Sequence, residues 1–289
     1  MSKKNIIVTG ANGQLGRCLS DLTSTYKQYN FIFTDVDSLD ICDESAVASF
    51  FSEKEPDWVV NVAAYTNVDK AESEPEIAMK INGEAVKYLA QQSRKCGAPL
   101  IHISTDYVFD GESGLLIDED DQTNPINAYG VSKLQGEINA RLNPAHVILR
   151  TSWLYSQYGH NFVKTIRGLA TERDEISVVN DQWGTPTSAI DLAEAIMKII
   201  TLGDNSEDVV GTFNFSNIGA TCWSLFAEQI IEYSSLQCKV NHIPSSDYPT
   251  AAKRPSFSLL NSSKIKNQLS IDLHEWEASL EVVIDKLNH

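Results

Sequence analysis

The N-terminal segment Asn5-Ile6-Ile7-Val8-Thr9-Gly10-Ala11-Asn12-Gly13-Gln14-Leu15-Gly16 constrains the fold more tightly than any other part of this chain. Its β-branched run forms a buried strand and leads straight into a turn punctuated by Gly10, Gly13 and Gly16. Gly10 permits the sharp strand-to-helix turn, Gly13 lets main-chain N–H groups approach a pyrophosphate, and Gly16 lets the helix pack closely on the sheet. The spacing is G-x-x-G-x-x-G rather than G-x-G-x-x-G. A second strand, Phe31-Ile32-Phe33-Thr34, ends at Asp35, where a carboxylate accepts hydrogen bonds from an adenosine ribose; the same residue also suits a plain turn. Asp40 and Ile41 follow at a spacing that flanks an adenine.

A second constellation carries chemistry. Ser104-Thr105-Asp106-Tyr107 precedes Asn127-Ala128-Tyr129-Gly130-Val131-Ser132-Lys133, which sets a phenol and an amine one helical turn apart on one face. An ammonium beside a tyrosine favours the phenolate, so the spacing predicts a Tyr129 pKa lowered toward the working pH and a phenol that exchanges protons with a carbonyl oxygen. The same pair is common on solvated helix faces, and only the glycine turn separates the two readings.

Strand and helix patterns alternate through the first half: a helix around 45–53, a strand over 58–64, a helix near 76–96, a strand over 99–104, the helix carrying Tyr129 and Lys133, and a strand over 146–150. Such alternation implies an α/β fold, a Rossmann-type doubly wound parallel sheet with ligands at the strands' carboxyl ends. The expected division is a dinucleotide-binding domain over 1–150 and a smaller, mainly substrate-binding C-terminal region over 151–289, with a helix near 189–201 packing back on the sheet.

Composition removes several classes of function. A net charge of −16 argues against nucleic acid, whose affinity rests on phosphate neutralisation. An anionic small ligand then needs local cations, for which Lys164, Arg167, Arg173, Lys253 and Arg254 are the candidates. No apolar stretch is long enough for a membrane span or a signal-peptide core, so a cytoplasmic protein is expected. Cys18, Cys42, Cys96, Cys222 and Cys238 contain no C-x-x-C pair and the histidines no metal-ligand spacing; His102 reads as a packed core residue.

Several segments together resemble the dTDP-4-dehydrorhamnose reductase family of extended short-chain dehydrogenases. They are the glycine turn, Asn61 to Glu72 (N-V-A-A-Y-T-N-V-D-K-A-E), Ser104 to Gly111 (S-T-D-Y-V-F-D-G), Y-G-V-S-K, R-T-S-W, Gln182 to Thr187 (Q-W-G-T-P-T) and Arg254-Pro255. The resemblance implies reduction of the 4-keto group of dTDP-4-dehydro-L-rhamnose by NADH or NADPH, the last step toward dTDP-L-rhamnose for cell-surface polysaccharide. Carried onto this chain, it makes Tyr129 the proton donor, Lys133 its tuner and the holder of the nicotinamide ribose, and Thr105 the partner of the carbonyl oxygen. It places Asp106 and Trp153 on the substrate, with Arg254 the expected contact to the diphosphate of a dTDP-4-keto-6-deoxy sugar. Gly13, Gln14, Leu15, Asp35, Asp40, Ile41, Ala64, Tyr65 and Thr66 would line the cofactor, with Tyr65 standing where relatives carry a small residue or histidine. Some family members dimerise through a divalent cation held by glutamates; Cys18 occupies the corresponding position, so no metal is carried over, and a homodimer stays open.

Two other readings share the fold. A nucleotide-sugar dehydratase or epimerase would use bound NAD without net consumption, and dehydration needs a further acid or base where Tyr107 stands. A non-catalytic regulatory relative of methionine adenosyltransferase would keep the fold without turnover; retention of Thr105, Tyr129 and Lys133 argues against it.

Overall fold

A computed structural model describes residues 3–204 and 209–288. Strand β1 (Lys4–Thr9) buries both of its faces, Ile6 and Val8 on one side and Ile7 on the other, which is why its sequence is continuously apolar rather than alternating. It leads into α1 (Gln14–Asp21), then β2 (Tyr29–Thr34), α2 (Glu44–Lys54) and β3 (Trp58–Asn61). The Asp43 side chain caps α2 by accepting from the Ser45 and Ala46 N–H groups, and Glu55, at φ 43°, ends it just before Pro56.

The chain continues through α3 (Val68–Ser73), α4 (Pro75–Met79), a π turn (Lys80–Glu84), α5 (Ala85–Cys96), β4 (Leu100–Thr105), α6 (Ala128–Ala140) and β5 (His146–Thr151). Then come β6 (Leu154–Tyr155), α7 (Phe162–Glu172), β7 (Glu175–Val179), β8 (Trp183–Gly184), β9 (Thr187–Ser188), α8 (Ala189–Asp204) and β10 (Gly211–Asn214). The last elements are β11 (Thr221–Cys222), α9 (Trp223–Tyr233), β12 (Lys239–Ile243), α10 (Ser263–Leu269) and α11 (Trp276–Asn288).

The main sheet has the order β10-β5-β4-β3-β1-β2, parallel throughout, so the fold is α/β and doubly wound in the Rossmann manner. β1 lies between β2 and β3, and the chain leaves it in opposite directions along the sheet. That reversal opens a crevice at the strands' carboxyl ends. One face of the sheet packs on α1 and α8, the other on α2 and α5, through two separate apolar clusters. Truncating a wholly buried member such as Ile7 to Ala would cost about 2 to 5 kcal/mol.

The sixth strand is a difference from the sequence reading, which placed residues from Gly211 onward in the substrate-binding region. β10 pairs with β5 in the main sheet, and α8 packs against α1. Four residues, Gly-Thr-Phe-Asn, carry too little periodicity to announce a strand. A third cluster, with Tyr155, Phe226 and Trp276 at its centre, joins α7, α9 and α11. His102 is fully buried in β4, its Nδ1 beside the Asn61 amide at 3.0 Å. No helix among the described residues is long and apolar enough to cross a membrane.

Candidate active site

A cavity of about 1080 Å³ lies along the crevice. Its dinucleotide end is built from backbone. Gly10 has φ +72°, and a Cβ there would sit 2.6 Å from the Ala63 backbone at the end of the neighbouring strand. A Cβ on Gly16 would meet Ala11 and the Gly10 carbonyl at the same distance, so only glycine allows α1 to start this close. Gly13 spends its own N–H on the Gly10 carbonyl. As N-cap it has no side chain to offer, which leaves the first amides of α1 without a side-chain capping acceptor where Gln14 and Leu15 line the cavity.

Asp35 closes this end. Its two carboxylate oxygens accept from the Asn12 and Val36 N–H groups, each at 2.8 Å, which fixes the carboxylate at the lip. Asp40, Ile41, Ala64 and Thr66 line the same wall. Close backbone approach, free helix-start amides and a fixed carboxylate together fit a dinucleotide.

Thr105, Asp106, Tyr129 and Lys133 converge farther along the cavity. Lys133 is buried, and its Nζ donates to the Ile103 carbonyl at 2.6 Å. Burial pulls the ammonium down to about 8, opposed by Glu137. Glu137 itself is fully enclosed, paired with Arg150 at 2.8 Å and accepting from the Ser104 hydroxyl at 2.7 Å. Burial works to raise its carboxyl, yet Arg150 and Ser104 hold it below the usual range. These bonds tie the ends of β4 and β5 to α6.

Tyr129 departs from the lowered pKa expected of it. Desolvation pushes the phenol up to about 12, with the Thr105 hydroxyl opposing and the Asp106 carboxylate adding to the rise. The ammonium is one turn away but is itself held back by the Ile103 carbonyl. Tyr129 is therefore a phenol across the physiological range, the protonation state that a reduction consumes. Asp106, also buried, is pushed up to about 6 by desolvation, with the Ser258 and Thr105 hydroxyls opposing the rise; its Oδ1 accepts from the Thr105 hydroxyl at 3.0 Å.

The far end is aromatic. Trp153 stacks on Trp223 with ring centroids 3.6 Å apart and an interplanar angle of 11°. Trp153 has φ 46°, a left-handed conformation that costs a bulky residue energy and is held by its surroundings. Gly184 provides the room, since a Cβ there would lie 2.7 Å from the indole. Trp223, His160 and Asn161 line the cavity without having been singled out from the sequence. They follow no motif, and only their placement by α7 and α9 reveals them.

Two expected site residues lie outside the lining. Tyr65 has its backbone clamped by Asn82, which accepts from its N–H at 2.8 Å and donates to its carbonyl at 3.0 Å. Its hydroxyl donates to Glu74 at 2.8 Å, away from the cavity, so Ala64 and Thr66 flank the cleft without it. The π turn aims Asn82 inward, a feature with no signature in the sequence. Arg254 is committed to Asp69 through two bonds of 3.1 and 2.7 Å. Lys164, Arg167, Arg173 and Lys253 do not line the cavity either. Among the described residues no group of three or more His, Cys, Asp or Glu side chains is placed to hold a metal ion.

A dinucleotide cradle that opens onto a buried phenol and ammonium is the arrangement of the short-chain dehydrogenases, and this chain is of that class. Known proteins narrow it further. The family described as "RmlD substrate binding domain" matches residues 4–289, and the chain belongs to that family. It is 43% identical to a dTDP-4-dehydrorhamnose reductase of Sinorhizobium fredii, over 95% of this chain and 94% of that protein. Among solved structures, a dTDP-4-dehydrorhamnose reductase of Clostridium acetobutylicum superimposes with a TM-score of 0.94 at 42% identity, covering 99% of this chain and 100% of the other. One from Bacillus anthracis in complex with NADP gives a TM-score of 0.94 at 38% identity over 98% and 99% of the two chains.

Proposed function

We propose that this chain reduces the 4-keto group of dTDP-4-dehydro-L-rhamnose to give dTDP-L-rhamnose, using a reduced nicotinamide cofactor. The observation that carries the reading is the junction of the two halves of the cavity. The protonated Tyr129 phenol and the Thr105 hydroxyl lie between a dinucleotide cradle and an aromatic wall with room for a sugar.

The backbone amides of Gln14 and Leu15 would hold the pyrophosphate, and Asp35 the adenosine ribose hydroxyls. When bound, the cofactor supplies a hydride to the carbonyl carbon. As negative charge builds on the carbonyl oxygen, Thr105 turns its hydroxyl from Asp106 to that oxygen and Tyr129 delivers its proton. Lys133, a cation below about pH 8, steadies the phenolate left behind. Asp106, which lines the cavity beside Thr105, would accept a sugar hydroxyl. Trp153 and Trp223 bound the apolar side of the sugar pocket.

Asp35 presents a carboxylate where NADPH would place a phosphate, so NADH is the expected cofactor with NADPH accepted as an alternative. The NADP complex of the Bacillus anthracis relative supports the second part. The test is consumption of each reduced cofactor with a panel of dTDP-4-keto-6-deoxy sugars, with the product identified by NMR. Net oxidation with formation of dTDP-L-rhamnose is the expected result. Water loss or epimer formation without cofactor consumption would move the chain to the dehydratases or epimerases. Binding without turnover would make it a regulatory relative.

A further inference from the structure

Several residues in the shared motifs have no part in this chemistry: Asp69 and Glu72 in N-V-A-A-Y-T-N-V-D-K-A-E, Gly111 in S-T-D-Y-V-F-D-G, Trp183 in Q-W-G-T-P-T, and Pro255 after Arg254. The fold brings them to one strap, residues 252–258, and to the start of the helix that carries Tyr129. Asp69 Oδ1 accepts from the Ala252 N–H at 3.0 Å while its two oxygens hold Arg254, whose Nη1 also returns to the Ala252 carbonyl at 3.0 Å. The Arg254 guanidinium holds the Asp69 carboxyl below its ordinary range. Farther along, Gly111 at φ +74° seats Pro255, because a Cβ there would sit 2.6 Å from the proline ring. Trp183 then exchanges backbone hydrogen bonds with Ser256 and Ser258, both at 2.8 Å.

The strap and α3 both reach the first turn of α6. The initial amides of a helix have no partners inside it. Here Glu72 accepts from the Ala128 N–H at 2.7 Å, and Asn127 Oδ1 accepts from the Gly130 N–H at 2.7 Å. The other end of the Asn127 amide donates to the Lys253 carbonyl at 2.9 Å, so the helix cap is fastened to the strap. Tyr129 sits between the two capped amides. Gly130 lies against the Tyr107 carbonyl so closely that a Cβ would collide with it, which sets this turn directly over the Thr105-Asp106-Tyr107 segment.

We infer that Asp69 and Glu72 are positioning residues: with Arg254 and Asn127 they latch the strap to α6 and hold the Tyr129 phenol at its working place beside Thr105. The assignment rests on Tyr129 being the proton donor. It gives Arg254 a place in the latch rather than on the diphosphate of the sugar nucleotide.

The experiment compares Glu72→Ala, Glu72→Gln, Asp69→Ala, Arg254→Ala and the Asp69→Ala/Arg254→Ala double variant in the full chain. A misplacement of the reacting group of about 1 Å costs up to roughly a hundredfold. Glu72→Ala and Asp69→Ala should therefore lower kcat by about 10- to 100-fold, with calorimetric affinities for dTDP and for the dinucleotide within about threefold of wild type. Glu72→Gln, which keeps an acceptor for the Ala128 N–H, should recover most of the loss. Arg254→Ala should add little in the Asp69→Ala background. Amide exchange at Ala128 and Gly130 should quicken in the alanine variants and not in Glu72→Gln. An unchanged kcat in Glu72→Ala would overturn the proposal. So would a tenfold loss of dTDP affinity in Arg254→Ala that Asp69→Ala does not share, because Arg254 would then bind the diphosphate. If wild type turns over no dTDP-4-keto sugar, the reading of the reaction falls, while the exchange rates and the dTDP affinities still decide the latch.

Discussion

At the end of the cleft beside α1, where we propose that the dinucleotide binds, the groups on offer are main-chain amides and one carboxylate, all supplied by the continuous stretch from Gly10 to Ile41. At the aromatic end they are the stacked side chains of Trp153 and Trp223, brought together from separate elements, with Trp153 packed over Gly184. The first end is shaped by what is missing, since added Cβ atoms at Gly10 and Gly16 have nowhere to go. The second is shaped by bulk, with Trp153 held at φ 46° by the stack above it. A binding end made of backbone tolerates changes in neighbouring side chains, whereas one made of packed indoles transmits each of them to the ligand. Tyr129 and Lys133 stand at the junction.

The largest effect should come at that junction. Tyr129→Phe keeps the ring and its T-shaped packing against Tyr107 while removing the proton, so turnover should fall by about 10² to 10⁴-fold with dinucleotide affinity nearly unchanged. Single-turnover kinetics would check it, and near-normal rates would mean that the proton comes from elsewhere in the cleft.

Lys133→Met should also abolish most turnover, and here the sign of the pKa shift adds a second readout. The folded-state value of about 8 lies below the ordinary 10.5, so between those values the unfolded chain holds the extra proton and this group's penalty on the native state shrinks as pH rises. Below that window the native state carries a buried cation at a cost. Methionine removes it, so the variant should melt at a higher temperature near neutral pH even as it loses activity. In wild type, kcat should decline as pH rises through about 8, and a rate flat to pH 10 would separate Lys133 from the chemistry. Asp106, pushed up to about 6, should set an acid limb in KM for the sugar.

An intermediate effect is expected at the aromatic end. Gly184→Ala drives a methyl into the Trp153 indole and forces the stack apart, an overpacking that costs about 1 to 3 kcal/mol. KM for the dTDP-sugar should rise by about tenfold for each 1.4 kcal/mol that reaches the pocket, while dinucleotide affinity, set by backbone elsewhere, should hold. If the dinucleotide weakens equally, the two ends are not separate.

The same contrast explains what was legible in the chain. The glycine turn, Asp35 and the Tyr129–Lys133 pair are local in sequence, so spacing alone placed them on the right elements and in one cavity. Trp223, His160 and Asn161 were not legible, because their place depends on how α7 and α9 fold over the sheet. Tyr65 differs for a related reason: the resemblance places it along the cofactor, but Asn82 in a π turn fixes its backbone and its hydroxyl bonds to Glu74. Arg254 looked like the free cation an acidic protein would need, and its partner Asp69 lies too far away in sequence to be anticipated. The Tyr129 pKa erred because one-turn spacing counts the ammonium and ignores desolvation.

The smallest expected effect lies at the dinucleotide end and tests whether one carboxylate there matters against a backbone frame. Both Asp35 oxygens already accept from main-chain amides and retain lone pairs for ribose hydroxyls. Asp35→Ala removes those acceptors and also the charge that a 2′-phosphate would meet. The KM ratio should therefore move toward NADPH, by roughly 3- to 10-fold, the scale of a charge interaction near a solvated lip. Salt should shrink this preference in wild type, since screening acts over about 10 Å at 0.1 M, and should leave the variant's ratio largely unmoved. A ratio that stays the same in Asp35→Ala would assign cofactor choice to the backbone frame itself and widen the contrast between the two ends: no single side chain would decide anything at the first, and one indole would decide much at the second.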